Sequence, residues 1–70
     1  MSAASLPRLV YMANQIGKFF VSEDKDTAVA GIADHLKKFW EPRMRAEIQH
    51  CLQQGGAGLS PLARRGVERL

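Results

Sequence analysis

The chain has 70 residues and a mass of 7.8 kDa, a length that excludes a multi-domain enzyme and predicts one small domain over residues 1–70. Hydrophobic residues make up 46% and charged residues 24%, as in an ordinary globular chain, which excludes wholesale disorder and a membrane-embedded fold. Ten Lys and Arg against seven Asp and Glu leave a net charge of +3, which permits either nucleic acid or an acidic protein surface as partner and selects neither.

Residues 1–4 are expected to be disordered. Ser5 is a good N-cap and Pro7 is tolerated in a first turn, so a helix is predicted over 6–21. Leu6, Leu9, Val10, Ala13, Ile16, Gly17 and Phe20 recur at spacings of three and four, and Met12 and Phe19 widen the stripe to about half the circumference. A solvent-facing helix needs only a stripe of roughly 100°. This helix therefore either touches more than its own chain or lies at the centre of the bundle. The stretch SEDKD, from Ser22 to Asp26, is a polar break in which Asp24 and Asp26 can cap the next helix and place negative charge at its positive end.

A second helix is predicted over 27–40. Val29, Ile32, Ala33, Leu36, Phe39 and Trp40 share one face, with Asp34, Lys37 and Lys38 on the other. Asp34 precedes the two lysines in the favourable order, worth ~0.2–0.5 kcal/mol per pair. Pro42 ends that helix and pushes Glu41 out of the helical region. Met44, Ile48, Cys51 and Leu52 mark a third helix over 43–54, opposite Arg43, Glu47, His50 and Gln54. Gly55 and Gly56 close it in the left-handed conformation. Ser60-Pro61 repeats the cap-and-proline start, and Leu62, Ala63, Gly66, Val67 and Leu70 predict a short last helix over 61–69. No alternating run is long enough for a strand, and no repeat occurs. The fold class is all-α, a small bundle of three to four short helices.

A domain of this size hides only roughly 60% of the surface its unfolded chain exposes, so its stability is marginal. Cys51 is the single cysteine, which forbids an intrachain disulfide and points to a reducing compartment, the cytoplasm. A partner surface remains as the source of stabilisation. No run approaches the roughly 20 apolar residues of a membrane span. Arg8, Asn14, Gln15 and Lys18 interrupt the N-terminal apolar stretch, so it does not resemble a secretory signal.

Catalytic, metal and cofactor sites are not expected. The candidate ligands are His35, His50, Cys51 and scattered carboxylates, and His50 and Cys51, adjacent on a helix, point about 100° apart. Cys51 reads as a small hydrophobe on an apolar stripe and His35 as a residue at the border of one. Gly55, Gly56 and Gly58 lie between helices with no GK[ST] after them, which makes them helix terminators rather than a phosphate loop. Two basic clusters, Lys37, Lys38, Arg43 and Arg45 in one and Arg64, Arg65 and Arg69 in the other, are either solvated faces or phosphate contacts. The segment FWEPRMR crowds two large aromatics, a rigid proline and two arginines together, and Trp and Arg are frequent at the energetic centres of interfaces. A partner-binding surface is therefore expected to use Phe19, Phe39 and Trp40 as anchors, Pro42 as a rigid corner, and Arg43 and Arg45 for carboxylates or carbonyls.

Three blocks, LVYMANQIGKFF (9–20), ADHLKKFWEPRMR (33–45) and GGAGLSPL (55–62), occur in this order and cover most of the chain. Together they resemble the delta subunit of the soluble NAD-dependent, molybdenum-containing formate dehydrogenases, with MANQI and KFWEPRMR the specific parts. The resemblance implies a non-catalytic accessory subunit of a cytoplasmic complex that oxidises formate to CO2 with NAD+. In such complexes the alpha subunit carries bis-molybdopterin guanine dinucleotide and iron–sulfur clusters, and the beta and gamma subunits carry FMN and further clusters. The resemblance also implies a role in assembly or stability of the active alpha subunit, and it assigns no catalytic residue. A transient maturation factor for molybdenum cofactor insertion is the alternative within the same complex. A small basic nucleic-acid-binding helical module is the alternative outside it, and neither nucleic acid nor membrane is the expected partner.

Overall fold

A polar break, Pro42 and the glycine loop before Pro61 divide the chain into four helices, and the computed structural model, which describes residues 5–70, places them at α1 (Leu6–Phe19), α2 (Lys25–Phe39), α3 (Pro42–Gln53) and α4 (Pro61–Glu68). The described residues contain no strand. The disorder expected for residues 1–4 falls outside them.

The helix ends differ from the sequence expectation by one or two residues, each for a local reason. α2 starts earlier because Asp24, rather than Asp26, is its N-cap: the carboxylate accepts from the Thr27 N–H at 3.0 Å and from the Thr27 hydroxyl at 2.9 Å. These two bonds, the hydroxyl first, hold the Asp24 carboxyl below its ordinary pKa. α2 ends at Phe39 because Trp40 has already turned to extended backbone (φ −91°, ψ 139°) ahead of Pro42. α1 ends at Phe19, after which Phe20 and Val21 make short i→i−3 bonds to Gly17 and Lys18. At the starts of α1 and α4 the two Ser–Pro signals diverge. Ser60 Oγ accepts from the Ala63 N–H at 3.2 Å, whereas Ser5 makes no side-chain cap. Pro7 stands second in α1 and removes one of the two N–H groups that a cap reaches, while Pro61 stands first in α4 and leaves both.

α4, the shortest helix, contacts each of the other three, and its pairing with α2 is the most extensive in the molecule. The crossing is close because Gly66 has no side chain: a Cβ there would collide with Ile32 Cγ2. Leu9, Ala13, Ile32, Leu36, Trp40, Ile48, Cys51, Leu59, Ala63 and Val67 form one buried cluster. The accessible surface is 4642 Å², against about 4,400 Å² expected for a folded monomer of this mass. That is the modest extent of burial that a chain of this length ordinarily reaches.

Candidate interaction surface

The blocks that carry the family resemblance are largely knotted to one another inside the fold. Asn14, in the first block, reaches the glycine loop of the third: its Nδ2 donates to Gly58 O at 2.9 Å and its Oδ1 accepts from the Ser60 N–H at 2.9 Å. Gly55, Gly56 and Gly58 have φ of 110°, 66° and 87°, a conformation open to glycine and strained for other residues. Their expected role as helix terminators holds, since Gly56 N–H donates to Cys51 O at 2.8 Å and Gly55 N–H to Leu52 O at 3.0 Å. Arg64 Nη2 ties the same loop down from α4, donating to Gly55 O at 2.7 Å.

In the middle block Arg45 turns back on α2. Its Nη1 donates to Trp40 O and, at 3.1 Å, to Lys37 O, carbonyls at the end of that helix with no intrahelical partner. Trp40, 5% exposed, is packed in the chain's own core. Pro42 is the first residue of α3, and both it and Arg43 are exposed. Lys38 pairs with Asp34 at 3.2 Å, the exposed i,i+4 contact expected of them.

Phe39 and Trp40, expected on one apolar face, separate. The backbone turns at Trp40, which sends the indole inward and leaves Phe39 71% exposed at the end of α2. Phe19 is 85% exposed, and Tyr11, two turns earlier on α1, is 63% exposed. Tyr11, Gln15 and Phe19 follow one another at i, i+4 and i+8, and Gln15 Nε2 donates to the Tyr11 hydroxyl at 3.0 Å. Phe19 stands edge-on to Phe20 with ring centres 6.0 Å apart, and His35 lies against Phe39 at 4.7 Å. Gln15, Ile16, Phe19, Phe20 and His35 line a groove of about 280 Å³ between α1 and α2. The structure thus brings Phe19 and Phe39 to the α1–α2 side of the molecule and commits Trp40 and Arg45 to internal contacts. Tyr11 and His35 were not among the expected surface residues, although the four-residue spacing of Tyr11, Gln15 and Phe19 is visible in the sequence.

A second, larger groove of about 590 Å³ opens on the other flank of α1, lined by Leu6, Pro7, Val10, Cys51 and Ala57, with His50 at its side. Cys51 is a free thiol, 7% exposed and part of the core cluster. Among the described residues no group of three or more His, Cys, Asp or Glu side chains is placed to hold a metal ion. No described helix is long and apolar enough to cross a membrane.

Searches of the curated proteins and of the solved structures returned no significant match. Residues 8–67 match the family described as NADH-dependant formate dehydrogenase delta subunit FdsD. That span contains all three sequence blocks, the Asn14 clamp, the Arg45 helix cap and the exposed aromatics of α1 and α2. With that match running through all four helices, the chain belongs to the FdsD family of formate dehydrogenase delta subunits.

Proposed function

We propose that this chain is a non-catalytic accessory subunit that docks on the large, cofactor-bearing alpha subunit of a cytoplasmic NAD-dependent formate dehydrogenase and stabilises its active arrangement. The observation that carries this reading is the exposure of the aromatic side chains Tyr11, Phe19 and Phe39, with Val21 beside them in the exposed apolar set, on a chain whose described residues leave no buried side-chain polar atom without a hydrogen bond. Aromatic residues in this position are what interfaces use as anchors. The molybdenum cofactor, iron–sulfur clusters and FMN reside in the alpha, beta and gamma subunits, and this chain contributes surface. Docking favours the folded form of both partners: at a free concentration of one hundred times the dissociation constant, a partner stabilises what it binds by about 2.7 kcal/mol.

The test is to produce the complex with and without this chain, following formate-dependent NADH formation and recovery of the alpha subunit on an affinity tag carried by this chain. The expected result is co-purification in equal amounts and a loss of active alpha subunit when the chain is omitted. Full recovery of active complex in its absence would falsify the stabilising role. Loss of the chain during purification of fully active enzyme would assign it instead to transient maturation.

A further inference from the structure

The groove between α1 and α2 is narrow in what it can hold. At about 280 Å³ it falls just below the roughly 300–1,000 Å³ of small-molecule sites, a size suited to one large side chain. Its wall depends on a missing side chain: the Phe20 ring lies on Gly31, where a Cβ would come within 2.5 Å of Phe20 Cε1. Phe19 and His35 flank it, and Phe39 extends the aromatic surface beyond His35.

The helix that carries most of this surface has one cation near each end and no anion. α1 bears the exposed Arg8 and Lys18 and no Asp or Glu. On α2, Lys38 and Asp34 offset each other at 3.2 Å. The nearby Glu23 lines a different groove, together with Lys25. An apolar pocket on a helix whose only charged residues are cations is complementary to an apolar side chain on an acidic segment.

Building on the docking reading above, we propose that this groove receives one large apolar side chain from a segment of the alpha subunit bordered by carboxylates. Arg8 and Lys18 steer the segment, and Phe19, Phe20 and His35 enclose the inserted side chain.

The test measures association and dissociation rates of the full chain with purified alpha subunit at low and high salt. The double variant Arg8→Glu/Lys18→Glu is expected to associate roughly tenfold more slowly at low salt, with the difference vanishing at high salt. Gly31→Ala, which displaces the Phe20 ring, is expected to dissociate faster; Phe19→Ser, at an exposed position, gives the same readout if Gly31→Ala fails to fold by circular dichroism. An unchanged association rate and salt dependence in the charge-reversed variant overturns the acidic border. Unchanged dissociation in the groove variants overturns the inserted side chain. In both of those cases the wild-type chain still binds and the docking reading stands, whereas a wild-type chain that does not bind the alpha subunit overturns both.

Discussion

On the flank of α1 that meets α4 and the glycine loop, Asn14 clamps Gly58 O and the Ser60 N–H, and Gly17 faces Ala63 across a gap that a Cβ would fill at ordinary contact distance. On the flank that meets α2, the same helix presents the exposed Phe19 beside a groove, with Tyr11 exposed two turns earlier. Both flanks belong to the block that carries the family resemblance, yet one is closed by hydrogen bonds to the rest of the fold and the other leaves its aromatic side chains largely uncovered. Motif membership alone therefore does not mark a contact residue. Arg45 and Trp40 lie in the densest motif and serve the fold, while Phe39, their neighbour, stays exposed.

Substitutions separate the two roles. The largest effect is expected for Trp40→Ala, at about 3–5 kcal/mol for a deleted core aromatic. That is comparable to the whole stability of roughly 4–10 kcal/mol for a chain of this length, so the variant should show no cooperative thermal transition. Gly66→Ala follows, because its Cβ would collide with Ile32 across the α2–α4 crossing; overpacking of this kind costs about 1–3 kcal/mol, read as a lowered denaturant midpoint. Asn14→Ala removes both hydrogen bonds of the loop clamp and is expected to cost about 1–2 kcal/mol, with faster amide exchange at Ser60. For Asp24 the folded pKa lies below the unfolded one. Its cap is fully present above the unfolded value and is lost as pH falls through the folded value, so an Asp24→Ala variant should lose part of the acid dependence of unfolding in that window. The smallest effect on stability belongs to Tyr11→Ser and Phe39→Ser, within about 0.5 kcal/mol, since neither side chain is covered. The same two variants should nevertheless weaken recovery of the alpha subunit, and a variant that loses stability but keeps the partner would reverse the assignment of its side chain.

Much of the fold was legible because its signals are local. Pro42, Pro61 and the Gly55–Gly56 pair set the ends of elements through backbone geometry alone, and the spacing of Val29, Ile32, Leu36 and Ile48 fixed the buried faces. The long-range packing and the exposed aromatic patch were less legible because they depend on contacts and turns that periodicity does not span. Asn14 and Ser60 are 46 residues apart, and nothing local announces their bond. The separation of Phe39 from Trp40 follows from one backbone rotation before Pro42, which helical periodicity averages over. Periodicity likewise placed Phe20 on the stripe of α1 without revealing that its ring would rest on Gly31 of α2.

The position of α4 sets an order on events during synthesis. The most connected helix is also the last of the four to leave the ribosome, and without it Gly17, Ile32 and the glycine loop have no counterpart to close against. The nascent α1–α3 segment thus remains unfinished until residues 61–68 emerge, and a ribosome stalled before that point would display sticky, unsealed helices to proteases and chaperones.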